Sequence, residues 1–326
     1  MYREREVNRV KAVLAMACAI GTSVLAAGQG GQTTFRAGVD LVSFGVTVVD
    51  KKGNLLTDLQ EGDFEIYEEG KKQAVRHFVP CGVTDGAGGV PLHLGALFDM
   101  SGSMTEDLSF ARTAAIKFLN MLHEAEDFTL VDFDTEVRVA RFSQAEFPRL
   151  VERLRRRKAD GYTALWDALG VYLDGASGQD GRKILVLYTD GGDTASHIRF
   201  DELLDLLKAS DATVHAIGFL EHQPQGARME QRMRLQQIAE QTGGQAFFPT
   251  SLKALDGVYE KVAAEIDAQY TLGYVSANPK MDGNWRRVEV KVVRPGLKDI
   301  KVRTRAGYFA PYRESDAPDR KRVPGA

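Results

Sequence analysis

The stretch "HLGALFDMSGSMTEDL", residues 93–108, joins an apolar run to a cluster of small side chains that carry oxygen. The apolar run has the composition of a buried β-strand, and it ends abruptly at Asp99. Ser101 and Ser103 follow at alternate positions, with Gly102 between them. The pattern therefore predicts a strand whose carboxyl end carries a polar site.

The overall composition is typical of a globular protein. The chain has 326 residues, of which 44% are hydrophobic, and this is enough for one large domain or two ordinary ones. The formal net charge of −3 is small. Because a surface that follows nucleic-acid phosphates needs clustered Lys and Arg, the charge pattern argues against a nucleic-acid partner.

The first 27 residues have the pattern of a secretory signal peptide. Basic residues precede the apolar stretch "VLAMACAIGTSVLAA", and the small residues Ala26 and Ala27 suit cleavage. An uncleaved membrane anchor is the alternative, and only that form would contact a membrane. Both interpretations predict export to the periplasm, the cell envelope or the medium. After cleavage Cys81 is the only cysteine, so no internal disulfide is expected.

The remaining sequence divides by pattern into a central α/β part and two β-rich flanks. The expected segments are a polar leader at 28–36, an N-terminal β segment at 37–80, a Gly-rich linker at 81–91, an α/β domain at 92–270, a C-terminal β segment at 271–312 and a disordered tail at 313–326. Each β segment is short for an independent fold. We therefore expect both flanks to form one small β-sandwich-like domain into which the α/β domain is inserted.

Within the α/β domain, apolar strands alternate with amphipathic helices. This predicts a doubly wound, mostly parallel, six-stranded sheet with helices on both faces. In the strand order 3-2-1-4-5-6, the first and fourth strands are neighbours, and ligands bind beyond their carboxyl ends. The first strand ends in Asp99, the fourth ("KILVLYTDGGD") ends next to Asp190, and Thr163 lies in the loop "ADGYTALWDAL". The candidate site residues are Asp99, Ser101, Ser103, Thr163 and Asp190.

Two carboxylates and three hydroxyls form a set of hard oxygen ligands. Such a set favours Mg²⁺ or a similar cation, including Mn²⁺ or Ca²⁺, over zinc or copper. Neutral hydroxyls would leave the metal electrophilic and in need of another anionic oxygen, which an Asp or Glu of a protein partner could supply. The alternative is that the serines only cap the following helix.

Three segments, "DMSGSM", Thr163 and "TDGGD", resemble the metal-ion-dependent adhesion site of von Willebrand factor type A domains. The flanking sequences "GDFEIYEEGKKQ" and "RAGYFAP" are similar to those of bacterial exported proteins with such domains. The resemblance implies that Ser101 and Ser103 bind the metal directly and that Thr163 does so in the ligand-competent state. It also implies that Asp99 and Asp190 act mainly through metal-bound waters.

Several other polar residues allow two interpretations. Asp132 and Asp134 suit a second cation site or a turn between strands. Asp193 suits either a supporting contact next to Asp190 or the capping of a helix. The basic run "RLRRRK" at 153–158 suits steering of an acidic partner or a solvated helix face. The six histidines show no spacing typical of metal ligands.

The sequence favours a binding function over an enzymatic one. "DMSGSM" matches neither a nucleophile elbow nor a phosphate-binding glycine loop, and Ser101 has no evident base nearby in sequence. We therefore expect a non-enzymatic, exported module that binds a protein partner through Mg²⁺, with no small-molecule substrate. The rival hypothesis is a structural or assembly component of the cell envelope in which the metal only stabilises the fold.

Overall fold

A computed structural model describes residues 41–82, 90–122 and 125–313. The predicted signal peptide, the polar leader, most of the linker and nearly all of the tail lie outside the described residues. Every helix in the described ranges is too short or too polar to cross a bilayer.

The described chain begins with a flank of four strands, continues through an α/β region and ends with a second flank of four strands. The first flank contains β1 (Leu41–Val49), β2 (Phe64–Glu68), β3 (Lys71–Gln73) and β4 (Val75–Val79). The strands of the α/β region are β5 (Leu92–Asp99), β6 (Asp127–Phe133), β7 (Val137–Ser143), β8 (Arg182–Thr189), β9 (Thr213–Gly218) and β10 (Ala246–Phe247). Its helices are α1 (Leu108–Met121), α2 (Phe147–Arg156), α3 (Leu165–Ala176), α4 (Phe200–Ala209), α5 (Gln225–Gln241) and α6 (Leu252–Asp267). The second flank contains β11 (Tyr270–Val275), β12 (Trp285–Val292), β13 (Lys301–Arg303) and β14 (Gly307–Phe309).

The central sheet has the order β10-β9-β8-β5-β6-β7, which is the predicted 3-2-1-4-5-6 order. All neighbouring strands are parallel except β6 and β7, which form an antiparallel pair. The prediction of a doubly wound, mostly parallel sheet is therefore confirmed. β5 and β8 lie side by side at its centre, so the loops that follow them leave from the same edge of the sheet.

Alternation along the buried strands supplies a core on each face of this sheet. Leu94, Ala96 and Phe98 of β5 pack with α1, α2 and α6, whereas Leu97 packs with α3, α4 and α5. Because successive side chains of a strand point to opposite faces, strands that are apolar at nearly every position can serve both helical layers.

The two flanks combine into two further antiparallel sheets. Their orders are β13-β1-β11-β4 and β14-β12-β2-β3, so each sheet contains strands from both flanks. Phe44, Ile66, Tyr270 and Val290 belong to one buried cluster that joins the inner faces of these sheets. A β-sandwich-like unit built from both flanks is thus present, as the sequence predicts.

The flanking unit meets the α/β region at the amino ends of the central strands. The Arg305 guanidinium, between β13 and β14, donates to the Ser210 carbonyl at 3.3 Å in the segment that leads into β9. The Gly82 N–H donates to the Asp267 carbonyl at the end of α6, at 2.8 Å. The carboxyl ends of β5 and β8 therefore lie at the opposite edge, away from the sandwich.

Candidate metal centre

The centre of the candidate site is a pair of buried carboxylates, those of Asp99 and Asp190, which we call the site pair. Both residues lie at the carboxyl ends of neighbouring strands and are at most 1% exposed. Within the described part of the chain, no Lys, Arg or His side chain forms an ion pair with either carboxylate. The site pair therefore has no cationic partner among the described residues.

Neutral donors orient the carboxylate of Asp99. Its Oδ1 accepts the Ser101 main-chain N–H at 2.9 Å, and its Oδ2 accepts the Thr189 hydroxyl at 2.5 Å. The Thr189 Oγ1 in turn accepts the Gly191 N–H at 3.0 Å. The last residue of β8 thus links the two loops that carry the site pair.

The carboxylate of Asp190 is also held by neutral donors. Oδ1 accepts the Gly192 N–H and Oδ2 accepts the Gln223 side-chain amide, both at 2.9 Å. Gln223 follows β9, the strand beside β8. Gly191 has a positive φ of 82°, a conformation that glycine adopts without steric cost and that turns the chain sharply after Asp190.

Burial and the negative charge of Asp190 raise the pKa of Asp99 from its usual 3.8 to about 7. Removal from water disfavours the ionised carboxylate, and a like charge nearby disfavours it further. A divalent cation would reverse both effects because it neutralises the two charges together. The arrangement therefore fits a bound cation better than it fits an isolated polar network.

The serine hydroxyls lie together at the mouth of this site. Ser101 Oγ and Ser103 Oγ are 3.1 Å apart, with Ser101 buried and Ser103 exposed. Neither hydroxyl caps the following helix α1, whose first turn receives no side-chain cap from them. The capping alternative is therefore wrong, since the hydrogen bond that the two hydroxyls form is with each other.

Thr163 lies on a loop that packs against both other loops. The Gly102 N–H donates to the Gly161 carbonyl at 3.1 Å, and the Thr163 carbonyl accepts the Thr194 N–H at 2.8 Å. A Cβ at Gly102 would lie only 3.3 Å from the Gly161 oxygen, so glycine permits this close approach. The tertiary structure thus brings into contact the loops that carry the five sequence-predicted residues, Asp99, Ser101, Ser103, Thr163 and Asp190.

Asp193 caps a helix that is distant in sequence. Its Oδ1 accepts the main-chain N–H groups of Leu165 and Trp166, at 2.8 and 3.3 Å, at the start of α3. This cap fastens the loop of Asp190 to the loop of Thr163. Between the two predicted roles the structure favours capping, although the capped helix is α3 and not the helix next along the chain.

Asp132 and Asp134 do not form a second cation site, because their carboxylates already form ion pairs with arginine side chains. Asp132 is paired with Arg153 at 2.6 Å and with Arg138 at 2.9 Å. Asp134 is paired with Arg157 at 3.3 Å, and its Oδ1 accepts the Glu136 N–H at 2.9 Å in the turn between β6 and β7. The turn interpretation holds for Asp134. Since Arg153 and Arg157 pair internally, this part of the basic run is structural.

Sequence reasoning did not single out Thr189 and Gln223 as site residues. Thr189 directly precedes Asp190 at the strand end, and this adjacency was an available signal. Gln223 had no such signal, because its contact with Asp190 depends on the path of the loop after β9. Among the described residues, no group of three or more His, Cys, Asp or Glu side chains is arranged around a metal position. Any cation here must therefore rely on hydroxyls as well.

Comparisons with known proteins agree with this architecture. The model of the von Willebrand factor type A domain family matches residues 94–261, just over half of the chain. No curated protein matches the sequence significantly.

Among solved structures, a von Willebrand factor type A protein from Catenulispora acidiphila is similar at 15% identity and a TM-score of 0.47, covering 86% of this chain and 76% of its own. The vWF domain of the type V pili tip protein Mfa5 from Porphyromonas gingivalis is similar at 12% identity and a TM-score of 0.45, covering 54% of this chain and 96% of its own. The PilB minor pilin from Streptococcus sanguinis is similar at 14% identity and a TM-score of 0.45 over 56% of this chain. This chain covers 63% of the PilB length, less than two thirds.

Proposed function

Because the chain belongs to the von Willebrand factor type A domain family, we propose that it is an exported, non-enzymatic module that binds a protein partner through Mg²⁺. Mn²⁺ or Ca²⁺ could take the same place. The partner presents an Asp or Glu carboxylate. The observation that supports the proposal is the site pair, which is buried, has no cationic partner in the described part of the chain and lies beside exposed Ser103.

The residues of the site have distinct parts in this function. Ser101, Ser103 and Thr163 would hold the cation with hydroxyl oxygens, and the site pair would balance its charge. When bound, the cation supplies an electrophilic position for one further anionic oxygen. Since Gly102 and Ser103 are exposed, a partner's carboxylate can reach this position from solvent.

The organisation of the loops favours binding over hydrolysis. The recorded partners of the site pair are main-chain N–H groups, a threonine hydroxyl and a glutamine amide, which are neutral groups that orient and do not exchange protons at neutral pH. No histidine or lysine of the described chain contacts Ser101 or Ser103 as a base would.

Calorimetric titration of the purified protein with Mg²⁺ in chelator-treated buffer tests the metal step. We expect saturable binding that Asp99→Ala weakens by about 100-fold, because the variant loses half of the balancing charge. Asp160→Asn serves as the control, since it removes an exposed carboxylate from the adjacent loop without touching the site pair, and it should stay within about twofold. Equal affinities for wild type and Asp99→Ala would refute the metal site.

A second measurement separates partner binding from a purely structural metal. A partner captured in Mg²⁺ should be released by excess chelator. If Mg²⁺ raises the melting temperature while partner binding persists in chelator, the metal only stabilises the fold, and the rival structural function is correct.

A further inference from the structure

The loops around the candidate metal centre carry a marked excess of negative charge. Four loops, 99–107, 158–163, 190–194 and 219–224, frame the site, and their side chains include seven carboxylates and one lysine. The carboxylates are Asp99, Glu106, Asp107, Asp160, Asp190, Asp193 and Glu221. One divalent cation offsets only two of these charges. The mouth therefore stays negative after a metal has bound.

Three of these carboxylates are exposed at the mouth, and we call them the acidic rim: Glu106, Asp160 and Glu221. The Glu106 side chain is 70% exposed and lies 3.2 Å from His222 Nε2. Glu221 is next to His222 in the loop whose Gln223 contacts Asp190. The Asp160 N–H donates to the Met100 carbonyl at 2.9 Å, which places Asp160 beside the first loop. The acidic rim thus borders the site on three sides.

Arg228 and His222, two basic residues beside the acidic rim, are engaged within the protein, and Lys158 is the one exposed lysine in these loops. The Arg228 guanidinium donates to the main-chain carbonyls of Glu221 and Gln223, at 2.8 and 3.1 Å. His222 pairs with Asp107 at 3.0 Å as well as with Glu106. Because the four loops hold seven carboxylates against one lysine and one histidine, the mouth keeps an excess of negative charge, so an approaching carboxylate is repelled unless positive charge accompanies it.

Tyr162 adds an aromatic surface to the same mouth. It directly precedes Thr163 and is 70% exposed, although its main-chain N–H is anchored to Thr135 Oγ1 at 2.9 Å. An exposed ring on an anchored backbone can accept a guanidinium or ammonium group on its face. It thus favours the same kind of partner as the acidic rim does.

We infer that the partner binds through an Asp or Glu flanked by Lys or Arg, with the acid at the metal, the basic side chains on the acidic rim and one of them against Tyr162. The inference rests on the proposed function and adds the chemistry of the partner segment. An isolated acidic residue, or one within an acidic run, would be repelled by the acidic rim.

Selection from a displayed library of random peptides tests the inference without a known partner. Peptides are selected on the protein in saturating Mg²⁺ and eluted with chelator. We expect the eluted peptides to carry Asp or Glu with Lys or Arg within a few positions. The triple variant Glu106→Gln, Asp160→Asn, Glu221→Gln should still select acidic peptides but lose the enrichment of basic neighbours. A control triple variant on the exposed surface of the flanking unit, Glu61→Gln, Glu289→Gln, Asp299→Asn, should select as wild type does.

A peptide recovered on wild type then shows how much the acidic rim and Tyr162 contribute to the affinity. In saturating Mg²⁺ its affinity should fall about tenfold in the acidic-rim variant, or about twofold per exposed charge removed. Tyr162→Ala should weaken binding about threefold. Tyr312→Ala is the matched control, since Tyr312 is 66% exposed in the flanking unit, and it should leave binding unchanged.

The outcomes separate this inference from the proposed function. Acidic peptides without basic neighbours, or equal basic enrichment on wild type and the acidic-rim variant, would overturn the inference and leave the metal-dependent function intact. If no peptide is eluted by chelator although calorimetry shows Mg²⁺ bound, the proposed function fails and the inference fails with it.

Discussion

Two pairs of acidic residues lie at the same edge of the central sheet and have opposite surroundings. The site pair follows β5 and β8, whereas Asp132 and Asp134, the arginine-bound pair, lie at the end of β6, the other neighbour of β5. Asp99 and Asp132 are both almost fully buried, at 0% and 1% exposure. Strand position therefore does not distinguish the two pairs, and burial does not distinguish Asp99 from Asp132, although Asp134 is partly exposed.

The two pairs differ in whether side chains of the protein supply positive charge next to them. Arg138, Arg153 and Arg157 surround the arginine-bound pair. Burial opposes ionisation of Asp134, but hydrogen bonds from Arg138 and the Glu136 N–H, with the charges of Arg138 and Arg157, lower its pKa overall. The pKa of Asp99 is raised instead. A buried carboxylate with internal cations is part of the fold, and one without them is suited to a cation from solution.

The largest effect should come from Asp132→Asn, which removes the charge from the arginine-bound pair. We expect the free energy of unfolding to fall by about 3 kcal/mol, because Arg138 and Arg153 lose a buried counter-charge. Urea denaturation measures the change, which should be the same with and without Mg²⁺.

Glu136→Gln is the matched control for Asp132→Asn. Glu136 also contacts Arg138, at 3.2 Å, but its side chain is 80% exposed. Its replacement should change stability by less than about 0.5 kcal/mol. If both variants lose equally little stability, the arginine-bound pair does not stabilise the fold and the comparison fails.

The same change of charge at Asp99 should have the opposite sign. In chelator at neutral pH, Asp99→Asn should raise the free energy of unfolding by about 2 kcal/mol, since it removes the cost of burying an ionised carboxylate and the repulsion from Asp190, at about 1.4 kcal/mol per pKa unit. The amide can still accept the Ser101 N–H and can donate to Thr189 Oγ1. Urea denaturation with added Mg²⁺ should show stabilisation of wild type and none of Asp99→Asn. A loss of stability in chelator would contradict the proposed cost of the buried charge at Asp99.

A smaller effect is expected from Asp193→Ala, which uncaps α3. The loss of an N-terminal cap costs about 1 kcal/mol. Because the cap joins the loops of Asp190 and Thr163, calorimetry should also show weaker Mg²⁺ binding. Asp193→Asn keeps a side-chain oxygen as acceptor and should recover most of the stability. Unchanged Mg²⁺ affinity in Asp193→Ala would mean that the cap does not position the Thr163 loop.

The smallest effect concerns His222 and depends on pH. The hydrogen bond to Asp107 and the negative charge of Asp107 raise the pKa of His222 above its usual 6.5. Stabilisation by this cation is fully present below the unfolded-state pKa and is lost as pH rises through the raised pKa. The melting temperature of wild type should therefore exceed that of His222→Gln at about pH 5.5 and match it at roughly pH 9. A pH-independent difference would show that the imidazole acts by packing alone.

Residue patterns alone predict the architecture and the residue types of the candidate centre. Alternating buried strands and amphipathic helices admit few topologies, and the order 3-2-1-4-5-6 places the first and fourth strands side by side. Asp99, Ser101, Ser103 and Asp190 could be located from this rule alone because each lies at, or just after, the end of a strand. Thr163 could be located from the loop that precedes a helix.

Which carboxylates pair with cations of the protein itself depends on the tertiary structure. Arg153 reaches Asp132 from a helix 21 residues further along the chain, and Asp193 caps α3 from 28 residues beyond Leu165. Whether two charged groups so far apart in sequence meet depends on helix orientation and on the path of the loops. Residue type and spacing do not specify either. Local patterns fix strand ends, whereas the pairing of buried charges is set by packing.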